Sequence, residues 1–364
     1  MFRRFAAAQD EAYDQDQCGL GPRVLREALM PATPVALRVV PRGFVCGLLL
    51  VLCCAPAVAA DTPREPLTVD AFSVVRLHAR AVPDARSRST LGGEREGTGI
   101  VIDSSGLILT IGYLIQEAET VEINAADGRK SPATVIAYDY ATGFGLLRAL
   151  TAPAIKPIQF GDSKDLPDRE PVLIVGFDGV APAFVVSKRP FAGSWEYLLD
   201  EAIFTAPATV NWQGAALINK EGKLIGVGSL AVGDAMGGRQ VPGNMFVPID
   251  LLKPILGDLI AQGHVHDKPR PWLGVNTQDL QGKLLVTRVS PDSPADKAGV
   301  AEGDIILGVA GEPFKGHAEF YKKLWSSGDA GAVIVLDVLK GIEVRKLDVK
   351  SIDRESYLKS RAVY

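Results

Sequence analysis

From about Leu67 to Ile249, short runs rich in β-branched and apolar residues alternate with turn signals. The runs read VVRLHARA, GIVID, LILT, VEIN, TVIAYD, PVLIVGF, FVVSK, IFTAP, ALIN, LIGVGSL and MFVPI, and Asp-Ser-Ser-Gly, Asp-Gly and Glu-Gly turns punctuate them. Short apolar runs bounded by such turns are strands joined as hairpins. About a dozen strands with no long helix between them predict two six-stranded barrels. The period then changes. Asp250 to Gln262 (DLLKPILGDLIAQ) carries a helical pattern, with Pro254 near the end of its first turn, where proline costs little. His264 to Pro271 is polar and contains proline, as a linker does. Beyond it, Ser293-Pro294 starts a short helix that Gly299 ends, Gly303-Asp304 turns into the strand IILGV, and His317 to Ser326 forms a second helix. AVIVLDVLKGIEVRKLDVK reads as a closing hairpin, and the polar residues 353–364 as a loose tail.

The N-terminal region follows neither pattern. Phe44 to Ala55 (FVCGLLLVLCCA) is an apolar run too short for an ordinary membrane span, preceded by Arg38 and Arg42 and followed by Ala57-Val58-Ala59. This is the layout of a secretory signal, with cleavage expected just before Ala60 or Asp61. A start at Met30 gives the signal an ordinary length, so 30–60 is expected to be the signal peptide and 1–29 an upstream extension foreign to the natural protein. The exported chain is then periplasmic or secreted, with no stable membrane span after cleavage. Cys18, Cys46, Cys53 and Cys54 are the four cysteines, and all precede that cleavage. The mature chain therefore has neither disulfide nor thiol chemistry.

A length of 364 residues allows two or three domains, and a net charge of −4 implies no basic face, so nucleic acid is not an expected partner. The expected division is a barrel domain at 67–262, a linker at 263–271, a second domain at 272–352 and the tail at 353–364. No cofactor or metal is expected. There is no HExxH and no cysteine pair in the mature chain, and His264 and His266 beside Asp267 read as solvated linker. His78 reads as a strand histidine, and His317 lies in the second domain.

Three stretches, Gly97 to Thr110, Val121 to Leu150 and Asn211 to Asn219, together resemble the HtrA/Deg family of trypsin-like serine proteases with a C-terminal PDZ domain. GTGIVIDSSGLILT (Gly97 to Thr110) looks like that family's opening hairpin. VEINAADGRKSPATVIAYDYATGFGLLRAL (Val121 to Leu150) is similar to its strand, turn and D-x-x-T-D-x-A-L-L segment. Asn211-Trp212-Gln213-Gly214-Ala215-Ala216-Leu217-Ile218-Asn219 lies over its G-N-S-G-G-P-L-V-N. The resemblance implies a mainly β fold, a chymotrypsin-like double six-stranded β-barrel followed by a PDZ domain. It also places Tyr113, Gly143 and Gln213 where the family carries its His, Asp and Ser. A phenol titrates near 10, too high for a base at neutral pH, glycine has no acceptor, and a neutral amide is no useful nucleophile. The oxyanion turn, Asn211 to Gln213, lacks the glycine that normally opens it. On these residues no catalytic group is assigned, and the chain is expected not to be an enzyme but a binding homologue of the proteases. Two rivals stand beside this reading: an HtrA-type serine endopeptidase working through another constellation, and a structural subunit of an envelope complex whose PDZ groove is plugged by its own tail or linker.

Val289 to Leu307 (V-x-P-x-S-P-A-x-x-A-G-V-x-x-G-D-I-I-L) resembles a bacterial PDZ domain over a long, in-register stretch. PDZ domains add an extended peptide as a strand and hold its C-terminal carboxylate on the N–H groups of a loop. The resemblance makes Trp272, Leu273, Gly274 and Val275 that loop, with Phe320 and Leu324 lining the pocket for the terminal side chain. For Phe320, plain core packing is an equal alternative. Expected partners are peptides or protein C-termini, active homologues of the family, or further copies of the chain itself, since the family commonly forms trimers.

Overall fold

The computed structural model describes residues 72–265 and 268–359. The expected upstream extension, the signal peptide, all four cysteines, His266 and residues 360–364 lie outside the described residues.

Twelve strands close into two barrels. The first comprises β1 (Val74–Ala81), β2 (Glu94–Val101), β3 (Leu107–Ile111), β4 (Ala118–Asn124), β5 (Lys130–Tyr138) and β6 (Phe144–Ala149), paired in the order β1-β2-β3-β6-β5-β4. The second comprises β7 (Pro171–Gly176), β8 (Gly179–Gly193), β9 (Tyr197–Ala206), β10 (Ala216–Ile218), β11 (Leu224–Val232) and β12 (Gly243–Pro248), in the order β10-β11-β12-β9-β8-β7. The period-2 pattern is the cause. In β1, Val75, Leu77, Ala79 and Ala81 are buried while Arg76, His78 and Arg80 turn outward, so His78 is the strand histidine expected. One apolar cluster runs through the first barrel into the second, from Leu77, Ile108 and Phe144 to Phe204, Leu224 and Met245. A smaller one, with Ile174, Val185, Leu217 and Phe246, fills the rest of the second barrel.

The helix expected over Asp250 to Gln262 is shorter. Ile249–Leu251 is a single 3-10 turn, and the regular helix begins only at Leu256 and ends at Gln262. The Asp250 carboxylate turns away to accept from the Ser163 N–H and Oγ, each at 2.7 Å. Pro254, with no N–H to donate, cannot join the first turn to the helix that follows.

The second domain is a sheet in the order β13 (Val275–Leu280), β14 (Lys283–Val289), β15 (Ile305–Val309), β17 (Val333–Lys340) and β18 (Glu343–Lys350), with β16 (Glu312–Pro313) paired to β15. Two helices pack on it, a short one at Pro294–Lys297 and a longer one at Gly316–Ser326, here α1 and α2. Ser293 caps α1 by accepting from the Asp296 N–H, and Gly299 ends it at φ 83°. Strand β13 is an edge, paired within the sheet only to β14, and it lies beside α2.

The tail is not loose as far as Lys359. Asp353 caps a turn at Arg354–Tyr357, the Tyr357 ring packs on Trp272 at 4.6 Å, and its hydroxyl donates to Pro291 O at 2.7 Å. The Lys359 N–H donates to Glu117 of the first barrel at 2.8 Å. Polar composition hid these anchors because each is a single aromatic or backbone group in an otherwise charged run.

Among the described residues, no helix is long and apolar enough to cross a membrane.

Candidate functional site: the barrel cleft and the PDZ loop

Each of the three triad-like positions lies in a turn next to a strand: Tyr113 after β3, Gly143 before β6 and Gln213 before β10. Tyr113 lies in a 3-10 turn, Gly112–Leu114, directly after β3. Its hydroxyl reaches across to the second barrel and donates to Ser229 O at 3.0 Å. Burial of that hydroxyl pushes the phenol well above its ordinary range, so it acts as a donor there and not as a base. Below the turn, the buried guanidinium of Arg95 donates to Tyr113 O at 3.0 Å and to Gln116 O.

Gly143 precedes β6, and its carbonyl accepts from the Gly112 N–H at 2.7 Å, tying the two loops together. Its φ of 87° lies in the left-handed region. A Cβ there would lie 3.2 Å from the hydroxyl of Tyr197, which itself donates to Thr142 O at 2.6 Å. A side chain at 143 is therefore opposed by both backbone conformation and space.

Gln213 sits in the turn before β10. Its carbonyl accepts from the Thr98 N–H at 2.8 Å, Trp212 O accepts from the Ala215 N–H at 3.0 Å, and Gly214 N–H donates to Gly228 O at 2.9 Å. The Asn211 N–H, two residues ahead of Gln213, points to Thr209 Oγ1 at 3.4 Å. The turn is tied to β2 and β11 by main-chain hydrogen bonds, which fixes its shape independently of the residue types at 211–213.

In the PDZ domain, Trp272 bonds in both directions with Ile352, at 3.0 and 3.3 Å, and so anchors the loop. Leu273 and Val275 are buried, and Gly274 adopts φ 89°. The N–H groups of Leu273, Gly274 and Val275 converge on one carboxylate, that of Glu196, at 2.9, 2.7 and 3.0 Å. Three successive N–H groups aimed at one point form an anion-binding nest. Phe320 and Leu324 are fully buried in the apolar cluster of this domain, with the Phe320 ring 5.1 Å from that of Phe314. His317, at the start of α2, holds its Nε2 3.0 Å from Thr277 Oγ1 on β13, and burial lowers its pKa.

Sequence reasoning missed Glu196 and Tyr321. Glu196 lies in RPFAGSWEYLL, where β8 and β9 extend beyond the barrel as a hairpin, with Phe191 paired to Leu199 and Gly193 to Tyr197. The available signal was the density of aromatic residues around one acid, in a run too apolar for a solvated loop.

The trypsin-like peptidase domain family matches residues 97–227, and the PDZ domain family matches residues 271–351. The putative serine protease HhoA of Synechocystis is 25% identical, over 79% of this chain and 77% of its own length. A probable periplasmic serine endoprotease, DegP-like, of Marinomonas is 28% identical over 64% of this chain and 51% of its own, so the chain spans about half of that relative. Among solved structures, the HtrA-type protease AlgW with a decapeptide aligns with 80% of this chain and 97% of its own, at 20% identity and a TM-score of 0.48. These relatives correct one expectation: proteins with this similarity are named serine proteases and endoproteases, and so the view that the chain is not an enzyme does not stand. The chain is a trypsin-like peptidase domain followed by a PDZ domain, homologous to the HtrA/Deg serine proteases.

Proposed function

We propose that the chain handles extended polypeptide in the cell envelope, its PDZ domain taking protein C-termini and its trypsin-like domain taking the polypeptide itself. One observation carries this reading: the nest at Leu273, Gly274 and Val275 holds a carboxylate on three N–H groups beside the edge strand β13. A peptide adding to that edge would place its terminal carboxylate in the same nest. Export is supported by the signal-like pattern at 30–60 and by relatives named as periplasmic. Assembly with homologous proteases or with further copies of the chain belongs to the same proposal.

Peptide-bond hydrolysis is the activity to which the relatives' names point, and it forms a second reading. In this chain the step would draw on groups other than the phenol at 113, the bare backbone at 143 and the amide at 213. A nucleophile needs a base near neutral pKa, and those three supply none. Casein turnover, run with a serine-directed fluorophosphonate probe and with retention of unfolded casein, tests both readings. Turnover or labelling abolished by one barrel substitution establishes hydrolysis. Retention of casein without turnover supports polypeptide handling alone, and the absence of both retention and turnover would contradict the proposal.

A further inference from the structure

The hairpin between β8 and β9 leaves the second barrel and enters the PDZ groove. Its tip carries the Glu196 carboxylate that fills the nest of Leu273, Gly274 and Val275. On the free edge of β13, the Thr277 N–H donates to Ser194 O at 3.0 Å, the kind of bond by which an added strand begins to pair. From α2, the Tyr321 hydroxyl donates to Gly193 O at 2.6 Å and accepts from the Glu196 N–H at 3.1 Å. Leu198 is buried in the same apolar cluster as Phe320 and Leu324. A carboxylate in the nest, a main-chain bond to the edge strand and an apolar side chain in the cluster are what a bound C-terminus would provide. Here one segment of the chain provides all three.

We propose that Glu196 is an internal occupant of the PDZ carboxylate site, which a peptide with a free α-carboxylate and an apolar residue near its end enters only by displacing this hairpin. The proposal rests on reading the PDZ domain as a binder of peptide C-termini. A glutamate side chain and a peptide terminus present the same charge and the same acceptor oxygens, so the nest accommodates one at a time. Two features favour exchange over permanent closure. Glu196 adopts φ 58°, a left-handed conformation that non-glycine residues resist, so its contacts hold it against local preference. Burial also pushes its carboxyl upward, against the pull of the three N–H donors, so the docked anion is incompletely compensated.

The test uses the full chain. Glu196→Ala is expected to shift the amide resonances of Leu273, Gly274 and Val275. It should also tighten binding of a fluorescent peptide ending in valine with a free carboxylate by at least tenfold. Glu196→Gln, which keeps the shape and removes the charge, should act in the same direction with a smaller factor. Tyr321→Phe, which leaves Glu196 intact and removes the hydroxyl that holds the hairpin, should also tighten binding, so the test survives a poorly folded Glu196 variant. Unmoved amides in Glu196→Ala, or moved amides with unchanged affinity while the peptide still binds, overturn the proposal and leave the peptide reading intact. Moved amides with no peptide bound by any form overturn the peptide reading, and displacement falls with it.

Discussion

A chain with alanine in place of Gly214 is expected to lose about 2–5 kcal/mol of unfolding free energy, from a left-handed backbone penalty of about 1–2 kcal/mol and overpacking of about 1–3 kcal/mol. Gly214 has φ 71°, and a Cβ on it would lie 2.2 Å from Thr98 O and 2.8 Å from Thr110 Oγ1. Neither neighbour can yield cheaply. Thr98 O accepts from that same threonine hydroxyl at 2.8 Å, and the Thr98 N–H is bonded to Gln213 O. The added methyl would therefore push β2 away from the turn before β10. Gly222→Ala is the control, since Gly222 has φ 77° but nothing within 4 Å of its Cβ position. It should cost only the backbone penalty, about 1–2 kcal/mol. Urea unfolding of both variants checks this, and equal losses would show that the turn tolerates the methyl.

Arg95→Ala is expected to cost about 1–3 kcal/mol for each buried acceptor it leaves without a donor. The Arg95 side chain is buried and donates to Gly92 O, Tyr113 O, Gln116 O and Ser87 Oγ. Burial lowers its pKa to about 10, which leaves it charged at neutral pH. Ser87 passes the network on to the Glu117 carboxylate, which also accepts from the Arg86 and Lys359 N–H groups. Truncation would orphan the carbonyls beneath the Tyr113 turn and loosen the contact that fixes the C-terminal segment. Acid should erode the same network. Burial pushes the Glu117 carboxyl up, but its hydrogen bonds from Ser87, Lys359 and Arg86 outweigh this and hold it below the usual range. A depressed folded pKa contributes stability above the unfolded value that is lost as pH falls through the folded one. Wild type should therefore lose part of its margin over Glu117→Gln as pH falls below the ordinary carboxylate range. A margin that stays constant as pH falls through and well below that range would contradict this role for Glu117.

The barrels and the PDZ domain were legible because their signals are local. Alternation in VVRLHARA, the DGR turn and the Ser293-Pro294 start of α1 each specify structure within a few residues. The resemblance also put Tyr113, Gly143 and Gln213 in turns that adjoin β3, β6 and β10, where the structure has them. What could not be read were features closed over long sequence distances. Glu196 meets Leu273, Gly274 and Val275 across 77 to 79 positions, and Tyr321 meets Gly193 across 128. The apolar, aromatic run around Glu196 argues against a solvated loop, but nothing local to it announces three backbone donors from another domain. The segment that meets this loop is the barrel hairpin, not the tail or linker.

If the nest is a site for peptide carboxylates, the charge on a peptide's terminus decides its affinity. Binding of a peptide with a free C-terminus is measured on the full chain beside the same peptide with an amidated C-terminus. The free carboxylate is expected to bind at least tenfold more tightly, because the amide has lost the anion the three N–H groups are aimed at. Equal affinity for the two peptides would contradict it.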